Sequence, residues 1–302
     1  MKLGLIGFGQ VGSSFAKGLK EAGLREIVAY DKMWNTQPSG ELIQRRAKEA
    51  GIPLLHNTQE LVTSSDIIIC VTAANVAIES AREAAPYLGR EKIYADLNSA
   101  SPKAKQEIAK IVEARGTKFV DGAIMGAISL YGHKSPIVVC GEGARDFTEA
   151  LAPYGMEIRN IGEGPGRASA LKMIRSVFAK GIEAVLLEAL DAAYECNVLE
   201  LVLDSICEMM DKEDFRSLAN MLVTTNAIHA QRRAYEMDGV IETLSEAGVD
   251  SRMSRATREK LQWSSDLGLR EEFRGEVPGE LAEVLVAISR RKRGSNSSLG
   301  KP

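Results

Sequence analysis

The sequence predicts an α/β domain with a mostly parallel sheet, followed by a second domain built from helices alone. Up to residue 163, short apolar segments alternate with helical periodicity, whereas from Arg167 onward helical periodicity continues with almost no strand-like segment. Between the two patterns, Gly162 to Gly166 forms the richest turn cluster of the chain. We therefore expect one domain at 1–163 and the other at 164–302.

The first domain is predicted to be an alternation of strands and helices. The strand segments are 2–7, 26–30, 66–71, 92–97, 117–120 and 137–140. The helical segments between them are 10–23, 44–50, 75–87 and 102–115. Because right-handed strand–helix–strand units join parallel strands, this order predicts a mostly parallel sheet. Strands without polar alternation fit a sheet that helices cover on both faces.

The second domain is predicted to consist of helices with extensive apolar faces. Their segments are 168–194, 199–211, 214–237, 239–247, 253–266 and 278–291. Apolar helix surfaces of this kind often pair subunits, so we expect a homodimer formed through this domain. The tail from Arg290 is basic and then rich in Ser and Gly, and we expect it to be frayed.

Composition excludes several classes of protein. A chain of 302 residues with a net charge of −3 has no overall attraction to nucleic acid or to an anionic membrane. No apolar run is long enough for a transmembrane helix, and the N-terminus is too rich in glycine for a signal peptide, so we expect a cytoplasmic protein. Four cysteines without a CxxC pattern and three scattered histidines predict reduced thiols and no metal site.

A glycine-rich loop joins the first predicted strand to the first helix. Its sequence is Gly7-Phe8-Gly9-Gln10-Val11-Gly12, a GxGxxG pattern, and Asp31 ends the next strand 19 residues after Gly12. Gly7 permits the tight turn, Gly9 lets the backbone approach a pyrophosphate, and Gly12 permits close packing of helix on strand. In this context the pattern predicts a dinucleotide site of the Rossmann type, with the phosphates at the helix N-terminus.

Residues near this loop bear on which dinucleotide binds. The Asp31 carboxylate can accept hydrogen bonds from both ribose hydroxyls and would repel a 2′-phosphate, which favours NAD. Lys32 beside it keeps NADP open, because a basic residue can tolerate that phosphate. Val71 and Thr72 follow the third strand at the carboxyl edge of the sheet, where ligands of such folds bind, and we expect them to contact the cofactor.

Three further segments resemble the β-hydroxyacid dehydrogenase family, which includes 3-hydroxyisobutyrate and 6-phosphogluconate dehydrogenases. Asp96–Pro102 reads DLNSASP and resembles the family's D-x-S-T-x-x-P segment. Phe119–Ala127 reads FVDGAIMGA and resembles D-A-P-V-S-G-G, and Gly166–Lys172 reads GRASALK and resembles G-x-x-x-K. With the glycine loop, these segments have the order and spacing of the family over about residues 2–195.

The resemblance implies a reaction and a set of roles. Family members transfer a hydride between a nicotinamide cofactor and a small anionic β-hydroxy acid, or its aldehyde or keto form, and Lys172 would be the general acid and base. Asn98 and Ser99 would lie beside the nicotinamide. The substrate loop would be Met125, Gly126 and Ala127.

The sequence departs from the family pattern at positions that concern the substrate more than the reaction. Met125 stands where a serine is expected, Ala168 where a glycine is expected, and Arg175 or Ser176 where an asparagine is expected. The C-terminal third is similar to a branch of phosphogluconate-dehydrogenase-like proteins with a variant C-terminal domain, whose substrates are largely unassigned. This similarity predicts an architecture but no substrate.

Two polar stripes on predicted helices are candidate substrate contacts. Lys172, Arg175 and Ser176 share one helix face, where Arg175 would lower the pKa of the lysine or hold a substrate carboxylate. The opposite face is expected in the core and contains Ile174, Phe178 and Val185. The second stripe consists of His229, Arg232 and Arg233 and is either a solvated helix face or a binding site. By analogy with 6-phosphogluconate dehydrogenase, it would bind a second anionic group of the substrate across a dimer.

Other functions remain open at this point. An imine or pyrroline-type reductase shares the layout but would not depend on Lys172. A decarboxylating dehydrogenase would need a further acid, for which Glu183 is a candidate. A dinucleotide-sensing protein without catalysis would keep the glycine loop, and Met125 and the missing asparagine favour it.

Overall fold

The structure of the protein, a computed structural model, describes residues 1–298. Its residue contacts divide the chain into two compact units, Met1–Val177 and a unit that begins at Phe178. The predicted boundary at 163/164 marks the end of the strands, but residues 164–177 belong with the first unit by their contacts. Ala168 explains this, because it is buried in a cluster with Ala123 and Val138 of the sheet.

The first unit contains a sheet of seven strands within the described residues. They are β1 (Leu3–Ile6), β2 (Ile27–Tyr30), β3 (Ile67–Cys70), β4 (Ile93–Asp96), β5 (Lys118–Ile124), β6 (Ile137–Cys140) and β7 (Ile158–Asn160). The strand order is β2-β1-β3-β4-β5-β6-β7, and every neighbouring pair is parallel except β5 with β6. The predicted mostly parallel sheet is confirmed.

Helices of the first unit follow the strands in the order expected of a doubly wound fold. They are α1 (Gln10–Glu21), α2 (Ser39–Ala50), α3 (Thr58–Ser64), α4 (Ala77–Ala84), α5 (Pro102–Glu113), α6 (Ile128–Tyr131), α7 (Ala144–Leu151) and the start of α8 (Arg167–Glu195). Side chains of successive strand residues enter two clusters, one containing Phe15 and Phe147 and the other Tyr94 and Phe119. Each fully buried side chain of this size contributes roughly 1.5–3 kcal/mol to stability.

Two differences from the predicted strands have local causes. Strand β7 was not predicted, because only Ile158 is apolar while Arg159 and Asn160 are exposed at the sheet edge. Strand β5 continues through Gly122 to Ile124, whereas the sequence predicts that the strand ends at residue 120. An added Cβ at Gly122 would lie 2.0 Å from Leu97 Cδ2, so the glycine allows close packing there rather than a bend.

The second unit is helical, as predicted. After the rest of α8 it contains α9 (Leu199–Asp211), α10 (Phe215–Glu246), α11 (Arg252–Asp266), α12 (Leu269–Glu272) and α13 (Leu281–Ser298). Its core cluster is centred on Ala227, Ile228, Leu269, Val284 and Ala287. No helix in residues 1–298 is both long enough and apolar enough to cross a membrane.

Three expectations for the second half of the chain were wrong. The separate helices 214–237 and 239–247 form one helix, because the roughly 1 kcal/mol cost of a glycine within a helix does not break α10 at Gly239. The tail from Arg290 continues helix α13 to Ser298, and Arg290 and Arg291 contact Glu272 at 3.0 and 2.8 Å. The tail residues 299–302 lie outside the described residues.

The third error concerns the apolar face of α8. Ile174, Phe178 and Val185 were expected in the core, but they are 70%, 52% and 44% exposed in the single chain. Helix α8 has apolar residues around much of its circumference, so neighbouring helices of the same chain cover only part of them.

Candidate active site

The glycine loop has the geometry that a bound pyrophosphate needs. Gly7 has a positive φ of 96°, and an added Cβ there would lie 2.7 Å from the Val71 carbonyl oxygen. A Cβ at Gly12 would lie 2.2 Å from the Gly7 carbonyl oxygen, so the helix can start this close to the strand only with glycine. A Cβ at Gly9 would meet no atom within 4 Å, which leaves the backbone open to a ligand.

Helix α1 begins at this loop without a local cap. Gly9 is its N-cap, and no side chain accepts a hydrogen bond from the first turn. The free N–H groups and the positive end of the helix dipole form an anion site. Phe8 has another role, because its side chain is fully buried and its N–H donates to Asp31 Oδ2 at 2.7 Å.

Asp31 holds the loop to the end of β2. Its second oxygen accepts a hydrogen bond from the Met33 N–H at 2.9 Å. Each carboxylate oxygen therefore keeps a lone pair with which it can accept from a ribose hydroxyl. The placement of Asp31 beside the glycine loop fits the predicted adenosine side of a dinucleotide site.

Asp31 and the glycine loop line a cleft of about 650 Å³. Other predicted cofactor contacts that line it are Gln10, Val11, Lys32, Val71 and Thr72. Lys32 donates to Glu83 Oε1 at 2.7 Å, and this hydrogen bond with the charge of Glu83 raises the pKa of the lysine. Glu79 and Glu83 also line the cleft, so its carboxylates outnumber the Lys32 ammonium.

A second cavity of about 190 Å³ adjoins the cleft at the carboxyl edge of the sheet. Val11, Val71 and Thr72 line both spaces. The remaining residues of the second cavity are Leu97, Asn98, Ser99, Ile124, Gly126, Ile128 and Lys172. The structure thus brings the predicted nicotinamide contacts, one residue of the predicted substrate loop and the predicted catalytic lysine to one place.

Lys172 makes a direct contact across this cavity. Its Nζ donates to Ser99 Oγ at 2.7 Å. One turn further along α8, the Ser176 hydroxyl donates to the Lys172 carbonyl oxygen at 2.9 Å and so is turned toward the helix backbone. The ammonium is positioned to exchange a proton with a hydroxyl or carbonyl oxygen bound beside Ser99.

Asn98, which lines the same cavity, has an acceptor without a hydrogen-bond partner. Its side-chain nitrogen donates to Asp96 Oδ2 at 2.8 Å and contacts Cys70 Sγ at 3.3 Å. Its Oδ1 is buried without a hydrogen-bond partner, although Asn98 is only 5% exposed. Buried acceptors are normally satisfied, so this oxygen fits an N–H donor of a bound group, such as the carboxamide of a nicotinamide.

Met125 and Arg175 lie together but line a different depression. Arg175 Nη1 donates to the Met125 carbonyl oxygen at 3.0 Å. Both residues line an open pocket of about 590 Å³ that also includes Arg159. Ala127, the last residue of the predicted substrate loop, immediately precedes α6. Arg175 therefore connects α8 to the predicted substrate loop through backbone contact.

A buried charge network next to the second cavity was not predicted from the sequence. Lys105 has no exposed surface, and its Nζ contacts Asp96 Oδ1 at 2.5 Å and Asp121 Oδ1 at 3.4 Å. Asp96 and Asp121 lie in two of the motif segments, but Lys105 belongs to none of the motifs. A signal was present, because Lys105 lies on the helix face that buries Ile108 and Val112.

The second predicted stripe lies on α10 in the helical unit. Arg232 forms an ion pair with Glu236 one turn away, and Arg233 Nη2 donates to Thr225 Oγ1 at 2.9 Å. His229 is partly buried. Within this unit the two arginines of the stripe are thus paired with neighbours on their own helix.

Comparison with known proteins identifies the domains. Residues 2–154, just over half of the chain, match the family model described as the NAD binding domain of 6-phosphogluconate dehydrogenase. Residues 193–264 match a domain of unknown function, DUF1932. The predicted resemblance, including its variant C-terminal domain, is confirmed.

Individual relatives agree with this assignment. A conserved protein of unknown function, described as structurally similar to 3-hydroxyacid dehydrogenases, is 32% identical, with a TM-score of 0.59 over 88% of this chain and 97% of that one. The 2-(hydroxymethyl)glutarate dehydrogenase of Eubacterium barkeri is 25% identical over 72% of this chain and 71% of its own. An imine reductase from Pseudomonas sp. shares the fold, with a TM-score of 0.71 at 16% identity over 95% and 99% of the two chains.

The family model over residues 2–154 includes the glycine loop and Asp31, the acidic residue after β2. On these residues and the match over residues 2–154, the chain is a member of the 6-phosphogluconate dehydrogenase-like family of NAD(P)-binding oxidoreductases, with a DUF1932 domain in its C-terminal half.

Proposed function

We propose that this protein is an NAD(P)-dependent dehydrogenase or reductase of a small anionic β-hydroxy acid, with Lys172 as general acid and base. The observation that carries the proposal is the 2.7 Å contact of Lys172 Nζ with Ser99 Oγ in a cavity that adjoins the glycine-loop cleft. Names of relatives add support, since 2-(hydroxymethyl)glutarate is itself a β-hydroxy acid.

Binding of the cofactor would use groups that line the cleft and the adjoining second cavity. The first turn of α1 would hold the pyrophosphate, Asp31 the adenosine ribose, and Asn98 Oδ1 the nicotinamide carboxamide. When bound, the nicotinamide accepts a hydride in the oxidation direction and supplies one in the reduction direction.

The protein's own groups would handle the proton and the substrate. In oxidation, neutral Lys172 takes the hydroxyl proton, and in reduction its ammonium returns that proton to the carbonyl oxygen. Ser99 holds the Nζ at the cavity between turnovers. Arg175 lines the open pocket beside Met125 and not the cavity of Lys172, so its remaining donors would bind a carboxylate of a substrate that extends from the cavity into that pocket.

We infer a preference for NAD from the charges around the ribose end of the cleft. Asp31, Glu79 and Glu83 line it, and the one lysine, Lys32, is already paired with Glu83. A 2′-phosphate brought to this end would meet more negative than positive charge, and like charges at close range repel. Opening the Lys32–Glu83 pair would add a further cost to NADP binding.

We also propose that the helical unit forms a homodimer. Among the apolar side chains of α8 and α9 that are more than half exposed in the single chain are Phe178, Leu187, Tyr194 and Leu201. A mainly apolar groove of about 630 Å³ is lined by neighbouring residues of the same unit, including Val185, Met237 and Val240. Monomers rarely leave such surfaces uncovered, so light scattering should give twice the chain mass, and a Leu187→Lys and Leu201→Lys double variant should give the monomer mass.

In such a dimer, the stripe of His229, Arg232 and Arg233 is proposed to bind a second anionic group of the substrate. Opening the Arg232–Glu236 pair would free a guanidinium for that group. The Arg232→Ala variant should then raise KM for the substrate and leave the affinity for NAD unchanged. An unchanged KM would remove this role and leave the stripe as a solvated face.

The proposed reaction is tested by following absorbance at 340 nm with NAD and with NADP. A panel of β-hydroxy acids should include phosphorylated and dicarboxylic compounds, and the Lys172→Ala variant should lose turnover by 10²–10⁴-fold, the usual contribution of general acid–base catalysis. Lys180→Ala, which removes an exposed lysine of the same helix, is the matched control. Full turnover in Lys172→Ala would favour an imine reductase, whose fold this chain shares, and cofactor binding without any turnover would favour a sensor.

A further inference from the structure

We propose that Lys105 is a positioning residue that sets the geometry between Ser99 and Lys172. The inference rests on the proposed function and adds a residue to it. Lys105 is fully buried, and its ammonium lies between two carboxylates that are also fully buried, Asp96 on β4 and Asp121 on β5. Its Nζ also donates to the carbonyl oxygens of Asp96 at 2.5 Å and Gly122 at 3.2 Å.

The two carboxylates are forced together by the sheet. Asp96 and Asp121 are direct partners in the register of β4 and β5. Like charges on neighbouring strands destabilise a sheet, and burial makes the repulsion larger. Lys105 reaches both from α5, so one ammonium relieves the repulsion and joins three elements of the fold.

Asp96 links Lys105 to the turn that contains Ser99. Its Oδ1 accepts from the Asn98 backbone N–H at 3.2 Å, and its Oδ2 accepts from the Asn98 side-chain nitrogen at 2.8 Å. Both bonds fix the turn that follows β4. Ser99 is the next residue of that turn, so the position of its hydroxyl depends on the Asp96 carboxylate.

Asp121 links Lys105 to the first turn of α8, which precedes Lys172. Its Oδ2 accepts from the backbone N–H groups of Gly166 at 2.8 Å and Ser169 at 3.3 Å, at the N-terminus of α8. A carboxylate here satisfies free N–H groups and interacts favourably with the helix dipole. Lys172 follows Ser169 by three residues, so Asp121 fixes the turn of α8 that presents the Nζ.

Lys105 is therefore bonded to both carboxylates that fix the backbone near the reacting groups: Asp96 near Ser99, and Asp121 near Lys172. Without its ammonium, Asp96 and Asp121 would be left buried and mutually repulsive, and each would turn from its present partners to reduce that repulsion. The 2.7 Å contact at the cavity would then open, although no residue of the cavity or the glycine loop had been replaced.

The test compares Lys105→Met and Asp121→Asn with Lys103→Met, which removes an exposed lysine from the same helix. Thermal unfolding first establishes which variants fold. Lysines are then labelled by reductive methylation with ¹³C, the Lys172 signal is assigned with Lys172→Arg, and its titration is followed by NMR. Fluorescence titration with NADH measures the cofactor site, and kcat and KM are measured with any hydroxy acid that the wild type oxidises.

For Lys105→Met and Asp121→Asn we expect the titration midpoint of Lys172 to move by half a pH unit or more. We also expect kcat to fall at least tenfold in both variants. In Asp121→Asn, which keeps the hydrogen bonds between Asp96 and Asn98, NADH affinity and KM for the cofactor should stay within twofold of wild type. Lys103→Met should match the wild type throughout. If Lys105→Met does not fold, Asp121→Asn decides, because Asn has nearly the same volume as Asp.

A folded Asp121→Asn variant with an unchanged Lys172 titration would overturn the inference. That result is independent of the proposed reaction, because the NMR measurement needs no substrate. Absence of turnover in the wild type would instead count against the proposed function, while a displaced Lys172 titration would still support the positioning role. In Asp121→Asn, a loss of NADH affinity equal to the loss of kcat would also overturn the inference, since it would indicate a general structural defect.

Discussion

Lys172 Nζ and Ser99 Oγ lie 2.7 Å apart although 73 residues separate them in the chain. Ser99 follows the fourth strand of the sheet, and Lys172 lies in the second turn of the long helix α8. Their contact joins the two motifs that the sequence suggests separately as nicotinamide contact and catalytic lysine. Replacing Ser99 therefore tests whether this hydrogen bond helps to orient Lys172.

Replacing Ser99 with alanine should lower kcat about tenfold or more. The variant removes a hydrogen bond to a charged group, and such bonds contribute roughly 1.5–3 kcal/mol. Steady-state kinetics of Ser99→Ala with the substrate found in the 340 nm screen measures the effect. Ser64→Ala, which removes a hydroxyl bonded to its own helix α3, is the control. An unchanged kcat would mean that the Ser99 hydroxyl does not help to orient Lys172.

Two glycines of the loop should differ in what they affect. A Cβ at Gly12 would lie 2.2 Å from the Gly7 carbonyl oxygen, whereas a Cβ at Gly9 meets no atom within 4 Å and Gly9 has a φ of −72°. Gly12→Ala should therefore lower the free energy of unfolding, while Gly9→Ala should keep stability and weaken NADH binding. Urea unfolding and fluorescence titration separate the two effects. Equal stability losses in both variants would contradict a ligand-facing Gly9.

Neutralising Glu83 should shift cofactor preference toward NADP. The Glu83→Gln change removes a carboxylate from the cleft and releases Lys32 from its 2.7 Å pair. Both effects favour a 2′-phosphate, and we expect the ratio of NADP to NAD affinity to rise about tenfold, which corresponds to about 1.4 kcal/mol. Isothermal titration with both cofactors gives the ratio. Glu107→Gln, on α5 and outside the cleft, should leave it unchanged, and an unaltered ratio in Glu83→Gln would argue against charge as the basis of preference.

Alkaline pH should destabilise the protein partly through Cys70. Burial, with a contribution from the charge of Asp96, raises the pKa of this thiol to about 11 from its ordinary value of 9.0. As the pH rises, the thiol of the unfolded chain loses its proton before the thiol of the folded chain does. The contribution of Cys70 to the free energy of unfolding is therefore fully present below pH 9 and is lost as the pH rises toward 11. Each pH unit within that window costs about 1.4 kcal/mol for one such group.

The Cys70→Ala variant should therefore show a shallower loss of stability between pH 9 and 11 than the wild type. Urea unfolding at several pH values gives the slopes, which are independent of any constant loss caused by the smaller side chain. Cys196→Ala, which removes an exposed thiol, should keep the wild-type slope. The same slope in all three proteins would show that Cys70 ionises as readily when folded as when unfolded.

Local patterns were sufficient for much of the fold. The apolar strands and the GxGxxG loop have characteristic residue types within a few consecutive positions, so their places in the chain could be predicted from local composition and spacing. The edge strand Ile158–Asn160 could not, because its pairing with β6 compensates for its polar residues. The exposed apolar side chains of α8 could not either, since burial depends on which partners surround a helix.

Sequence patterns were enough to predict the order of the motifs, the dinucleotide loop with Asp31, and Lys172 as the acid–base candidate. They could not show that Lys172 contacts Ser99, that Lys32 is paired with Glu83, or that the ammonium of Lys105 is buried. The physical reason is that motifs are local, whereas the partner of a charge is set by which strand ends and helix starts the fold brings together. A lysine on an apolar helix face indicates burial, but the register of β4 and β5 alone supplies the two carboxylates that make this burial possible.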